Sequence, residues 1–415
     1  MMMLQAPHVY ILIGFMTSLA NATMFTTYAV YQVIALGLTP LQLLLVGMVL
    51  EVTVLVFEGI TGVMADVYSR RRSVIIGMFV LGIGFLLEGG AIWLAEASPL
   101  LSAFMWLLLA QVIFGIGATF VSGADTAWIV DEVGEENAGR IFLKAKRIGL
   151  FGTLTGIALS VGLSALGPNL PYVTGGVMYV MLGVFLVFGM KETKFASAEN
   201  GSFAVSHWSS MKATWLYGTR VFRRNPVLLM IMIVTIFGGA ASEGYDRLWQ
   251  AHLIVDVGLP LDDRFAPAVW FGLIAVLSTM LSLIVIWIAE KRIDMSSERV
   301  AFRGMLVLTA ARIAAIVGLA FSSDFAGALA AVLLYDIVRT LSGPVYDAWL
   351  NLNIDSKSRA TVLSMMSQSD ALGQTAGGPF VGWIGSRFSI RASLVAAAVL
   401  LSPILGVYVR VLRRR

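Results

Sequence analysis

Four polar side chains lie on one face of an otherwise apolar stretch. Glu243, Asp246, Arg247 and Gln250 fall within the run 227–257 at positions i, i+3, i+4 and i+7, which share one side of a helix. A charged side chain at the centre of a bilayer costs about 2.5–3.5 kcal/mol on insertion scales, so it faces a partner or a wet cavity. We therefore predict that this face binds a proton, an ion or a polar substrate.

The composition is that of a membrane protein. Of 415 residues, 58% are hydrophobic and 13% are charged, against about 25% charged in soluble domains, and the mean hydropathy is +0.85. No segment reads as alternating strands, which disfavours a barrel. The absence of cysteine excludes disulfides and thiolate metal sites, and the three histidines are scattered. We expect no metal and no cofactor.

Apolar runs between charged or Gly/Pro-containing breaks predict an all-α membrane protein with twelve transmembrane helices. The runs lie near 9–36, 41–65, 73–95, 100–131, 141–166, 172–190, 227–257, 266–289, 300–321, 325–350, 360–385 and 389–410. Lysine and arginine concentrate in alternate loops and in the C-terminal tail, so both termini are expected in the cytoplasm. The expected location is the inner membrane of a bacterium.

A polar stretch divides the predicted helices into two sets of six. We predict an N-terminal bundle over 1–190, a cytoplasmic linker over 191–226 with room for an interfacial amphipathic helix, and a C-terminal bundle over 227–415. A tether is favoured over a small regulatory domain. The halves share Ser-Gly pairs at 122 and 342 and Gly-Leu pairs at 37 and 258, offset by 220 or 221 residues. Parallel repeats of this kind place a substrate site at mid-membrane.

The second inter-helix loop carries a recognisable motif. It reads Gly62-Val-Met-Ala-Asp66-Val-Tyr-Ser-Arg70-Arg71-Arg72 and resembles the signature Gly-x-x-x-Asp-Arg-x-Gly-Arg-Arg of the major facilitator superfamily. Four positions match, namely Gly62, Asp66, Arg70 and Arg71, whereas Val67 and Ser69 depart from it. The resemblance implies two pseudo-symmetric six-helix bundles and a gating role for the matched residues. A plain cluster of topogenic arginines is the alternative.

The resemblance extends to the fourth and tenth spans. Asp125 resembles the acid with which the family holds this loop's arginine, although a simple helix-end charge is an equal alternative. Gln111 occupies the place where proton-coupled relatives often carry an arginine. In the tenth span, Asp336 and Arg339 are spaced i, i+3 and can pair within the helix, either as a substitute for that arginine or as a structural ion pair. The charge chemistry is therefore expected in the seventh and tenth spans.

Small residues and further polar groups complete the candidates. Gly152 and Gly156, with Gly377 and Pro379, resemble the Gly-rich motif of drug-exporting members; generic helix packing explains them as well. By analogy with the family, Glu51 and Glu58 are candidate interface acids, whereas Glu88 and Arg312 are expected to form structural pairs. The predicted amphipathic pocket is formed by Asn21, Thr23, Tyr28, Tyr31, Gln32, Tyr245 and Trp249. Interfacial belt positions are the alternative for Tyr31 and Trp249.

The leading hypothesis is a monomeric secondary transporter that exports amphipathic drugs or similar small molecules in exchange for protons. Asp246 is the favoured proton carrier, because Arg247 can pair with Glu243 and leave Asp246 less compensated. The alternative is a proton-coupled or facilitated transporter of a sugar or organic anion, with Arg247 and Arg339 as anchors. An enzyme is disfavoured because no nucleophile–base pair is recognisable. The expected partners are substrate, protons and lipid, and not nucleic acid.

Overall fold

The computed structural model describes residues 5–98, 100–193, 225–260, 267–292, 298–354 and 359–412. These residues form thirteen α-helices and two short π-helical segments. The helices are α1 (Ala6–Phe25), α2 (Pro40–Val67), α3 (Arg70–Ala97), α4 (Ala103–Val121), α5 (Ala124–Val133), α6 (Glu135–Leu166), α7 (Leu170–Gly189), α8 (Pro226–His252), α9 (Pro267–Arg292), α10 (Glu298–Phe321), α11 (Phe325–Leu352), α12 (Arg359–Arg387) and α13 (Ile390–Leu412). The prediction of an all-α membrane protein is confirmed.

Among the described residues, eleven helical segments are long and apolar enough to cross a membrane. One of them, Ala103–Val133, joins α4 to α5, so the thirteen helices make twelve helical segments, eleven of which are candidate spans. The remaining helix, α12, carries a polar run that includes Ser364, Ser367, Ser369 and Asp370. The polar run lowers the hydropathy of α12 and also gives it groups that can bind protons or polar ligands.

The chain forms two compact units. Unit 1 comprises 1–38, 49–201 and 263–272, and unit 2 comprises 39–48, 202–262 and 273–415. The start of α2 therefore belongs to unit 2 and the rest of α2 to unit 1. The predicted linker helix falls within 194–224, outside the described residues, so the predicted boundaries at 190 and 226 remain predictions.

Both units contain a helix that ends in a π-helical turn. Val30–Ala35 follows α1, and Leu253–Val257 continues α8. Gly258 follows its segment directly and Gly37 follows after Leu36; their φ angles are 83° and 63°, a left-handed conformation that favours glycine. This shared geometry explains the repeated Gly-Leu pairs in the sequence. Single π-helical turns are frequent at functional sites.

Helix α1 packs closely on α6 within unit 1. A Cβ added to Gly152 would lie 2.6 Å from the Phe15 carbonyl oxygen, and one on Gly156 would lie 2.5 Å from the Leu19 carbonyl oxygen. These glycines lie four residues apart and form one stripe, which allows the two backbones to approach. The structure thus gives both glycines a packing role.

Candidate functional site

Two ion pairs occupy the polar face of α8 in unit 2. Arg247 donates from Nε to Glu243 Oε1 at 2.9 Å, one helical turn away. Arg339 of α11 donates from Nη1 to Asp246 Oδ1 at 2.5 Å. Glu243 is only 5% exposed, whereas the side chains of Arg339 and Asp246 are 54% and 31% exposed. The carboxylate of the first pair is therefore buried while its Arg247 side chain is 21% exposed, and the second pair borders open space.

The predicted single face of α8 divides between two neighbouring environments. With 3.6 residues per turn, positions i and i+3 lie about 60° apart around the helix. Asp246 consequently contacts α11, whereas Glu243 lies beside Gly47 of α2 and Gly378 of α12. The prediction that Asp246 is the less compensated carboxylate is wrong, because Arg339 pairs with it.

The predicted ion pair between Asp336 and Arg339 is also wrong, because the hydrogen bonds described for these two side chains go to other residues. Arg339 reaches across to Asp246 on α8, since its long side chain can span the gap between neighbouring helices. Asp336 instead accepts a hydrogen bond from Ser278 Oγ of α9 at 2.6 Å. A tertiary contact thus replaces the local i, i+3 contact in each case.

Two stacked tyrosines lie next to these charges. The ring centroids of Tyr245 and Tyr335 are 3.5 Å apart, with the planes inclined by 20°. Arg312 donates from Nη2 to the Tyr335 hydroxyl at 3.0 Å, so Arg312 joins the cluster through a tyrosine. The Tyr245 hydroxyl is buried and has no hydrogen-bond partner among the described residues. It offers a polar contact to a proton-carrying group or a substrate.

Asp370 is a member of this cluster that the sequence interpretation missed. On α12 it accepts a hydrogen bond from Gln374 Nε2 at 2.8 Å and lies beside Gly239 of α8. The signal available in the sequence was a lone acid within a polar run of an otherwise apolar span. The charges of Asp370, Arg312, Arg339 and Asp246 lie close enough to interact.

The cluster has more acids than bases. Asp246 pairs with Arg339, the charge of Asp336 interacts with Arg339, and that of Asp370 interacts with Arg312 and Arg339. When all five groups are ionised, one negative charge remains. The excess negative charge favours uptake of one proton by an acid of the cluster. Gln250 is buried one helical turn beyond Asp246.

Unit 1 contains a cavity of about 770 Å³. Aromatic rings and polar groups share its wall, including Tyr10, Asn21, Phe25, Phe114, Asp125 and Lys146. The Tyr179 hydroxyl donates to Asn21 Oδ1 at 2.8 Å and fixes that amide at the cavity wall. The cavity can hold a small organic molecule with an apolar body and a charged or polar group.

Asp125 lines this cavity and is not the described partner of the motif arginine. Its Oδ1 accepts from the Thr126 backbone N–H at 2.6 Å. Arg70 instead bonds the Asp131 carboxylate and the Ala127 carbonyl oxygen. The acid described beside Arg70 is Asp131, six residues further along α5, and the role that the resemblance gives to Asp125 stays a prediction.

The motif loop is tied to the end of α7 within unit 1. Arg71 donates to the carbonyl oxygens of Met190 and Val187 at 2.5 and 2.6 Å, and Ser69 bonds Glu192 at 2.5 Å. Ser69, a departure from the family signature, thereby gains a role in anchoring the loop. The side chain of Asp66 lies outside the described residues, and no described atom lies within 4 Å of a Cβ added to Gly62.

We predict that Arg70→Ala lowers the free energy of unfolding by about 1 kcal/mol, the scale of a partly exposed ion pair, and slows transport. Thermal unfolding of purified protein and initial rates in proteoliposomes measure the two effects. Arg72→Ala is the matched control, because Arg72 is exposed and its described hydrogen bond uses only the backbone N–H. Equal behaviour of the two variants contradicts a role for the Arg70 contacts.

Gln32 and Gln111 meet at a buried acid of unit 1, Glu88. Gln32 donates from Nε2 to Glu88 Oε1 at 3.0 Å, and Gln111 donates from Nε2 to Glu88 Oε2 at 2.9 Å. Glu88 is only 2% exposed. The sequence interpretation treated the two glutamines as separate candidates and Glu88 as structural, whereas the structure brings all three together.

The remaining candidates are more dispersed. Gly377 packs on Ala240 of α8, and Pro379 lies inside α12. Glu51 and Glu58 are half-buried on the part of α2 that belongs to unit 1, and Tyr28 is buried just after α1. The interface role of the two glutamates and the pocket role of Tyr28 stay predictions.

The spans, the intramembrane ion pairs and the cavity define a polytopic membrane transporter. The family model of the Major Facilitator Superfamily matches residues 10–369, and the chain belongs to that superfamily. It is thus a membrane transporter of small molecules and not an enzyme. Several known proteins resemble it.

One relative is an uncharacterised MFS-type transporter, YxaM, of Bacillus subtilis (strain 168). It is 24% identical over 383 residues, which cover 88% of this chain and 86% of the relative. A point mutant of the nucleoside transporter NupG superposes with a TM-score of 0.76 at 13% identity, covering 98% of this chain and 99% of the other. A bacterial homolog of the human lysosomal transporter Spinster gives 0.68 at 16% identity, covering 97% and 95%. These structures support the fold.

Proposed function

We propose that this transporter exports amphipathic organic molecules in exchange for protons. The observation that carries the proposal is the unit 1 cavity, where aromatic rings line the wall beside the Asp125 carboxylate. An amphipathic cation can place its apolar body against the rings of Phe25 and Phe114 and its charge near Asp125. The bacterial relative is consistent with an inner-membrane location. A monomer with both termini in the cytoplasm completes the proposal.

The proposed proton chemistry uses the acids of unit 2. A proton on Asp246 neutralises the carboxylate that holds Arg339, so the ion pair between α8 and α11 weakens when the proton arrives. The released arginine then remains beside Asp336 and Asp370. Protonation thus changes a contact between helices, which a coupled transporter requires. Alternating access is the corresponding transport cycle for parallel repeats.

We predict that Asp125→Asn reduces transport of lipophilic cations about tenfold, which corresponds to the loss of roughly 1.4 kcal/mol of charge attraction. Uptake into inverted proteoliposomes under an imposed proton gradient measures the effect on a panel of cationic and neutral amphipathic compounds. Asp125→Glu retains the charge and is the control. Undiminished transport of cations by Asp125→Asn contradicts the proposed substrate site.

The second candidate function is transport of a polar metabolite, either a sugar or an organic anion. Arg339 favours it, because more than half of its side chain is exposed while it bonds Asp246. An anionic substrate can then compete with Asp246 for the guanidinium group. A thermal-shift panel separates the candidates: stabilisation by one polar class alone supports the metabolite transporter, and a response to several unrelated lipophilic cations supports the exporter.

A further inference from the structure

We propose that Glu88, together with Gln32 and Gln111, forms a proton-binding site inside unit 1. This inference goes beyond the proposed function, because it needs neither the Asp246–Arg339 pair nor a transported compound. It rests on three observations: the burial of the carboxyl group, the arrangement of the two amides around it, and an amide oxygen without a described partner.

The carboxyl group is enclosed by side chains from several helices. Gln32 lies in the π-helical segment after α1, and Gln111 lies on α4. Each donates one amide hydrogen to a different Glu88 oxygen, at 3.0 and 2.9 Å. Gln32 Nε2 also donates to the hydroxyl of Tyr172 on α7, at 3.5 Å. Two donors of this kind can stabilise the charged carboxylate.

The Gln32 amide also accommodates a protonated acid. Its Oε1 is buried and has no hydrogen-bond partner among the described residues, and Gln32 as a whole is 1% exposed. Rotation of the amide by half a turn exchanges Oε1 and Nε2, two atoms that are distinguished only by their hydrogen bonds. Oε1 then lies next to Glu88 Oε1, a contact that becomes a hydrogen bond once Glu88 carries a proton. The site thus has a hydrogen-bonded arrangement for each protonation state.

A layer of aromatic rings separates this site from the unit 1 cavity. Along α3, Leu81 lines the cavity, Phe85 follows one turn later and Glu88 about one turn after that. The Phe85 ring is fully buried and packs on Phe114 and Phe25, with centroids 4.7 and 6.0 Å away. By helical rise Glu88 lies about 10 Å beyond Leu81. The proton site and the cavity can therefore be occupied separately.

The backbone of Glu88 connects the site to the π-helical segment. The Tyr31 hydroxyl donates to the Glu88 carbonyl oxygen at 2.8 Å, and the Tyr31 ring packs on Tyr172 at 5.5 Å. Tyr31 and Tyr172 are the titratable side chains described next to the carboxyl group. Because Tyr31 and Gln32 are neighbours in this segment, a change in the Gln32 amide acts directly on the turn that ends the first span.

The test is infrared difference spectroscopy of the purified full-length protein in lipid nanodiscs, titrated from alkaline to acidic pH without substrate. We expect the wild type to gain the carbonyl-stretch band of a buried protonated acid that Glu88→Gln lacks. Acid–base titration should show that Glu88→Gln takes up one proton fewer per molecule. Glu96→Gln is the matched control, since Glu96 lies on the same helix and is exposed; it should retain the band.

A second variant keeps the acid and changes its surroundings. Gln111→Leu removes one described hydrogen bond to the carboxyl group, so the Glu88 band should persist at a displaced frequency. This variant also decides the question if Glu88→Gln does not fold. Spectra of Glu88→Gln or Gln111→Leu that superimpose on the wild type at every pH overturn the proposal. A band that disappears when sodium replaces a bulky organic cation at constant pH also overturns it, since that identifies a metal-ion site.

Discussion

Replacing Asp246 with asparagine should abolish proton-driven transport while leaving a folded protein that still binds its substrate. The amide retains an oxygen that can accept from Arg339 and removes the charge that a proton would neutralise. Replacing the charged acceptor by a neutral one weakens the hydrogen bond from Arg339, whose whole contribution is about 1.5–3 kcal/mol, so the variant should stay folded while proton-driven transport is lost. Proteoliposomes with an imposed proton gradient measure the loss, and thermal shift with a lipophilic cation measures binding.

Two controls separate the charge of Asp246 from its geometry. Asp347→Asn removes an exposed acid on the same helix as Arg339 and should leave transport unchanged. The exchange Asp246→Arg with Arg339→Asp preserves an ion pair while reversing its direction. Partial recovery in the exchange relative to either single variant shows that the pair acts as a unit. Normal gradient-driven transport by Asp246→Asn contradicts the assignment of Asp246 as the proton carrier.

The spans could be predicted from the sequence because the bilayer imposes a length. A stretch of about 20 apolar residues bounded by charges has few alternatives to a membrane helix. The repeated Gly-Leu pairs also marked corresponding helix ends in the two halves, although they did not predict that these ends are π-helical. The break between α4 and α5 at Gly123 was not predicted, since a left-handed glycine there interrupts an otherwise continuous apolar run.

The partners of the charged side chains could not be predicted in the same way. Spacing of i, i+3 or i, i+4 identifies neighbours within one helix, and it gave the Glu243–Arg247 pair correctly. It failed for Asp336 because arginine is long enough to choose an acid on another helix, as Arg339 does. Which helix that is depends on tertiary packing. Partner choice is therefore the part of the site that one sequence leaves open.

The neutral partners of a charged side chain are equally hard to predict, as the two glutamines around Glu88 show. The sequence places Gln32, Glu88 and Gln111 in three different predicted spans, with nothing to indicate that they meet. The absence of an arginine at position 111 suggested that unit 1 had lost its charge chemistry. The structure suggests a different interpretation, because an amide at that position donates to a buried acid on α3. The residue that replaces the family's arginine can thus have a polar partner of its own.

Gly47→Ala should strongly reduce stability and transport, although alanine normally favours a helix. A Cβ at position 47 would overlap Glu243 Oε1 and lie 3.0 Å from Arg247 Nε. On the other side, a Cβ on Gly378 would lie 3.3 Å from Glu243 Cγ, so the carboxylate has little room to move. Disrupting a buried ion pair costs about 3–5 kcal/mol, which exceeds the gain of about 1 kcal/mol from helix propensity.

Thermal unfolding and transport should be compared for Gly47→Ala and Gly62→Ala. Gly62 lies on the same helix with no described atom within 4 Å of its added Cβ, so alanine there should not reduce stability. The double variant Glu243→Ala with Arg247→Leu removes the ion pair. When Gly47→Ala is added to this double variant, it should lower the stability only slightly. If Gly47→Ala is equally harmful in the double variant, steric displacement of the Glu243–Arg247 pair is not the cause. If Gly47→Ala does not reduce the stability of the wild type, the space around Glu243 between α2 and α12 can accept a Cβ, which contradicts the prediction.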